Sequence, residues 1–174
     1  MFKIKYKIFD DSEDEIEGNE FHGEIGYFQL IVGDSEYGAY LDKEVDIVSV
    51  SIYWWMRYFV EATLKLREEN PIYISDIETP RVWIELAKQN DNTIIIGKIE
   101  SPKLEGSSAI ESGNKIEKKK IDWEEKINFE EYNVELISAF EKYLNDLNTL
   151  NTQENCYIEE LEKLLDQLKN NEDI

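Results

Sequence analysis

The chain has 174 residues, 39 acids against 19 bases, a net charge of −20, and 41% hydrophobic and 12% aromatic residues. That much apolar material excludes a disordered acidic tail. The acid excess excludes direct binding to nucleic-acid phosphates or anionic lipid, and leaves a basic partner or a bound cation. Residues 1–87 hold 19 acids and 8 bases and residues 88–174 hold 20 and 11, so the negative charge belongs to the whole surface. One cysteine, Cys156, allows no internal disulfide. No apolar run reaches the ~18 to 20 residues of a bilayer span. The opening MFKIKYKIFDDSEDE alternates where a secretory leader would be continuously apolar. A reducing cytoplasm, with no membrane partner, is the expected location.

Phe2, Ile4, Tyr6 and Ile8 alternate with Lys3, Lys5 and Lys7, which predicts a half-buried strand over Phe2–Phe9 with lysines on its open side. Asp10–Glu24 reads as a loop whose acids crowd its first half. Ile25–Val32 is a second strand, Gly33-Asp34-Ser35 a turn, and Tyr37–Leu41 a third strand. A helix is expected from Asp46 as N-cap, with Val48, Ile52, Trp55, Phe59, Ala62 and Leu66 on one face, ending at Asn70-Pro71. Ile72–Ile77 reads as a short strand, broken at Thr79-Pro80. Arg81–Ala87 and Thr93–Glu100 form a hairpin about Asn90-Asp91-Asn92. Ser101–Asn114, rich in Gly, Ser and Glu, reads as a flexible excursion, and Lys115–Trp123 as a last strand pairing with the one before it. Asn128 caps a helix, with Glu131 at the N3 position of a capping box. Phe129, Tyr132, Leu136, Phe140, Tyr143, Leu147 and Leu150 line its face. Thr152 starts a last helix carrying Tyr157, Leu161, Leu164 and Leu168, and Asn170–Ile174 should fray. This order predicts one α+β domain over 1–174: a mainly antiparallel curved sheet, one central packed helix, a loop at about 101–114 and a C-terminal helical hairpin at about 128–170.

Chemistry-bearing constellations are few. The one histidine, His22, falls in a loop, and Cys156 lies far away on the last helix, where it reads as half-buried and inert. Two soft ligands cannot build a structural zinc site. Asp10, Ser12 and Asp14 have the spacing of an EF-hand, but Glu15 stands where glycine is needed and Phe21 where a bidentate glutamate is needed, so no metal or other cofactor is expected. Gly23-Glu24-Ile25-Gly26 lacks the lysine and helix of a phosphate loop. The acids nearest apolar patterning are Glu61, Asp76 and Glu85, read as solvated or as partners of Arg57 and Arg81. Trp54 and Trp55 read as core packing, and Lys118-Lys119-Lys120 as a solvated strand end. No residue is assigned a catalytic role.

The opening strand FKIKYKIF, the strand GEIGYFQLIVG at Gly23–Gly33 and the aromatic helix SIYWWMRYFVEA at Ser51–Ala62 lie in the first 75 residues. Together with size, acidity and the α+β pattern, they make the chain resemble the small acidic immunity proteins of contact-dependent growth inhibition and related bacterial polymorphic-toxin systems. The resemblance implies inhibition of one cognate toxin domain, commonly a nuclease with a basic active site, by tight binding. It assigns no contact residue. Charge density alone selects Asp10, Asp11, Glu13, Asp14, Glu15 and Glu17 as the partner-binding surface, with Glu154, Glu159, Glu160 and Glu162 on the last helix as a second acidic face. Two alternatives stay open: a nucleic-acid mimic that occupies a DNA- or RNA-binding enzyme, and a small enzyme with a carboxylate site.

Overall fold

Strand β1, Phe2–Ile8, buries Phe2, Ile4 and Tyr6 on one face, as its alternation predicts. It pairs antiparallel with β2, Ile25–Val32, from Phe2 opposite Val32 to Ile8 opposite Gly26. The computed structural model describes residues 1–10, 21–118 and 120–170. On the other edge of β2 lie β3, Ser35–Gly38, and the two-residue β4, Val50–Ser51. A second antiparallel sheet has the order β8-β5-β6-β7-β9, from Ile110–Ser112, Ile72–Ser75, Val82–Asn90, Thr93–Glu100 and Lys120–Asn128. The strands are thus divided between two sheets where one was expected, within the α+β class and the antiparallel pairing that were expected.

The central helix α1, Ile52–Lys65, begins later than the Asp46 cap predicts. Residues Asp46–Val48 make a single 3-10 turn and Val50–Ser51 pair with β2, so Ser51 is the cap and its hydroxyl accepts the Trp54 amide at 3.3 Å. From Ile52 on, the expected stripe is buried: Ile52, Trp55, Phe59, Ala62 and Leu66. Trp54 is half-buried, with the Arg57 guanidinium 5.2 Å above its ring. Asn128 caps α2, Phe129–Leu150, accepting the Glu131 amide at 2.9 Å. The last helix, α3, is Cys156–Asn170, and Asn155 in place of Thr152 accepts the amide of Tyr157. Helices α2 and α3 form the expected hairpin, and α1 packs on both. One hydrophobic core runs through both sheets and all three helices.

Helix α2 also closes the free edge of β1. The Glu131 carboxylate accepts the Phe2 amide at 3.0 Å and Glu135 accepts the Ile4 amide at 3.0 Å. Four helical residues rise about 6 Å and two strand residues about 6.7 Å, so the two glutamates match alternate outward amides of the strand. An edge that would template foreign strands is thereby covered. The capping box is therefore only half formed, because Glu131 is turned to β1.

Each sheet carries an irregular segment over its outer face. Residues 39–49 cross the first sheet, where the fully buried Tyr27 donates its hydroxyl to the Lys43 carbonyl and accepts the Val45 amide. Residues 101–118 cross the second, over a small cluster of Tyr73, Trp83, Ile99 and Ile116. The excursion 101–114 is accordingly not a free loop: Ile110–Ser112 pair with β5, and the Ser75 amide donates to the Ala109 carbonyl at 2.7 Å. The last strand starts at Lys120, not Lys115, because Ile116 and Lys118 belong to this cover.

Candidate partner-binding surface

Of the six acids chosen from charge density, Asp10 is exposed just beyond β1, and Asp11, Glu13, Asp14, Glu15 and Glu17 lie outside the described residues. The spacing Asp10, Ser12, Asp14 also falls largely there. Among the described residues no three His, Cys, Asp or Glu side chains are grouped to hold a metal ion. On α3, Glu159, Glu160 and Glu162 are exposed, as is Glu154 just before it. Glu160 is engaged: Arg57 reaches it at 2.7 Å and holds Glu61 at 2.7 Å, as the Arg57–Glu61 reading expects. Burial pushes the nearby Tyr53 phenol up to about 12, with Arg57 pulling the other way. Among the described residues no basic side chain pairs with Glu154, Glu159, Glu162 or Asp166. Cys156 is exposed, not half-buried, because it is the first residue of α3. His22 is half-buried, and Asn151 bonds its amide and carbonyl at 2.9 Å each.

Two acids read as solvated are buried instead, and neither pairs with Arg81. Glu85 is 1% exposed; its Oε1 accepts the Tyr73 hydroxyl at 3.0 Å and Lys118 at 2.7 Å, and Lys118 also reaches Glu124 at 3.4 Å. The reason is the covered outer face: Tyr73 and Glu85 stand opposite each other across β5 and β6, beneath residues 101–118. Lys118 is therefore not a solvated strand end. Asp76, 5% exposed, sits where the two sheets meet. It accepts the Glu78 and Thr79 amides at 2.9 and 3.1 Å and the Tyr37 hydroxyl from β3. Lys103 donates to the Asp76 and Thr79 carbonyls.

Around Asp76 lies a groove of about 290 Å³. Its floor is aromatic: Phe28 and Trp55 stack at 5.5 Å with an 8° interplanar angle, and Tyr37 meets Trp55 edge-on at 5.8 Å. Asp76, Glu78 and Thr79 form one wall, and Ile47–Val50 the other. Burial and the Asp76 charge raise the Glu78 carboxyl above its ordinary range, with the Ser51 amide pulling it down. Ile47 is 90% exposed on the lip, and Ile77, beside Glu78, is 53% exposed. Sequence reasoning singled out Asp76 but not Glu78, Ile47 or Ile77. The available signal was that Ile47 falls off the apolar stripe of the following helix.

A second groove, of about 370 Å³, lies between β1 and α2 and has the opposite sign. Lys3, Lys5 and Lys142 line it, while Glu135 in its wall is bonded to the Ile4 amide. No helix among the described residues is long and apolar enough to cross a membrane. No family model, curated protein or solved structure matches the chain.

Proposed function

We propose that this chain is an immunity protein that binds and neutralises one cognate basic toxin domain. The observation that carries the reading is how the charge is distributed. Basic side chains such as Lys7, Arg57, Lys88, Lys98, Lys115, Lys118, Lys120 and Lys169 are already held by acids of the same chain. The acids left over, with Glu154, Glu159, Glu162 and Asp166 among them, face outward. A surface of this kind steers a cationic protein and suppresses encounters with anionic ones. The second sheet, the helical hairpin and the helix-covered edge of β1 supply a rigid frame for it.

The test is protection in the producing cell. The toxin domain encoded beside this chain is expressed alone and together with it, and surviving colonies are counted. Survival is expected only in co-expression, with a stable complex on gel filtration that weakens as salt rises. A harmless neighbouring domain, or one whose killing is unaffected, overturns the reading. Inhibition of unrelated DNA-binding enzymes at similar concentration would instead identify a nucleic-acid mimic.

A further inference from the structure

The groove where the two sheets meet combines three properties that single features of the surface do not. It is concave, it is acidic on one wall, and its lip exposes large apolar side chains. We infer that it receives one arginine or lysine side chain of the partner protein, with an apolar partner residue beside it covering Ile47 and Val48. This rests on the reading that the partner is a basic protein domain, and it says where that domain anchors.

Size comes first. At about 290 Å³ the groove is at the bottom of the range that holds drug-sized ligands, and suits a single side chain. Shape and chemistry then select a long cation. The aliphatic stem of arginine or lysine lies well on aromatic walls while its head stays polar, and a guanidinium also stacks on such rings. Tyr37 and Trp55 offer such rings on the floor, and Asp76 and Glu78 stand in the wall beside them. Asp76 is fixed in place by two amides and the Tyr37 hydroxyl, so little ordering is needed on binding. Lys103 is bonded to main-chain carbonyls and forms no ion pair with either carboxylate among the described residues, and Lys98, whose amine lies 5.7 Å over the Tyr37 ring, is paired with Asp122. Lys103 acts on Asp76 only through its charge, so Asp76 and Glu78 stand side by side with no ion-pair partner among the described residues, and the raised Glu78 carboxyl agrees with that. Exposure of Ile47 and Val48 on the lip supplies the apolar contact that an anchor needs around a charge.

The probe is the peptide acetyl-Ile-Arg-Ile-amide, titrated into the isotope-labelled full chain and followed by nuclear magnetic resonance. The control peptide carries citrulline, which keeps the shape and removes the charge. Shifts are expected at the Ile47 and Val48 methyls and the Trp55 indole. Citrulline and the Glu78→Gln variant should each weaken binding about tenfold, the scale of one charged hydrogen bond. Glutamine can still accept the Ser51 amide, and an unchanged melting temperature shows that the variant is folded. Ile47→Ser, at a position 90% exposed, should weaken binding without unfolding the chain. Equal affinity of the two peptides overturns the inference. So do shifts confined to the amides of Glu159 and Glu162, which leave the basic-partner reading intact. Failure of protection in co-expression defeats that reading whatever the peptide does.

Discussion

Glu85 and Lys118 illustrate how a buried charge is made tolerable. Glu85 Oε1 holds two donors, whereas Oε2 has no hydrogen-bond partner among the described residues. Removing the lysine alone strands a buried carboxylate, which costs far more than the pair itself contributes. Lys118→Met should therefore lose about 2 kcal/mol of stability in urea unfolding, while Glu85→Gln with Lys118→Met recovers most of it. A double variant as unstable as the single one would show that packing, not charge, is what Lys118 supplies. Glu111 is the counterpart at the edge strand β8, 6% exposed and gripped by the Ser108 amide at 2.7 Å and by Lys115 at 2.9 Å. Burial alone would raise its carboxyl, but these partners hold it below the ordinary range. A lowered carboxylate stabilises the fold fully above the unfolded value of about 4.3 and loses that contribution as pH falls through the folded value. The stability gap between the native chain and Glu111→Gln should be level at neutral pH, at about 1 kcal/mol, and close in acid. Both acids lie on strands buried on both faces. Asp76 and Glu85 stood out in the sequence because their neighbours are apolar, but Ile84 and Leu86 pack on one side and Trp83 on the other. The cover for the second side comes from Ile116 and Lys118, whose local pattern reads as the start of the last strand, so nothing local announces that they fold over the sheet instead.

At the scale of elements, regular periodicity was readable and tertiary pairing was not. The strands Ile25–Val32 and Thr93–Glu100 appear with the bounds that alternation predicts, and Asn128 caps α2 as expected. The start of α1 was misplaced because Val48 continues the helical stripe by chance. The pairing of Val50–Ser51 with Ile25–Gly26 pulls those residues into a sheet, and that pairing depends on a strand some two dozen residues earlier. Strand β8 was missed for the same reason: three residues carry no period, and only β5 beside them makes a strand. The glutamate pair on α2 is the element whose role is most open to test. Glu131→Ala with Glu135→Ala leaves the Phe2 and Ile4 amides at the edge of β1 without their acceptors. About 1 kcal/mol of stability per lost bond is expected in urea melts, together with concentration-dependent association on gel filtration as the bared edge seeks strands. Loss of stability without association would mean that the neighbouring lysines alone keep the edge apart.

Over the whole molecule, two opposing charge effects can be weighed against each other. Internal ion pairs such as Arg57–Glu61 favour the fold and are weakened by salt, but mostly at partly exposed sites where each contributes little. Repulsion among 39 acids opposed by 19 bases acts over the entire surface, and salt relieves it. Repulsion should win, so the urea midpoint should rise as salt is raised from low to physiological ionic strength, while association with a basic partner slows over the same range. The exposed face of α3 isolates the effect. Glu159, Glu162 and Asp166 follow one another at three- and four-residue steps, which places like charges side by side on one helix surface. Glu162→Lys converts both neighbouring repulsions into attractions and should stabilise the chain by about 0.5 kcal/mol at low salt. The gain should shrink as salt rises, because what it removes is itself screened. A native midpoint that falls with salt, or a Glu162→Lys gain that salt leaves untouched, would mean that the carboxylates of this surface do not strain the fold. Their excess would then have no energetic cost for a basic partner to relieve.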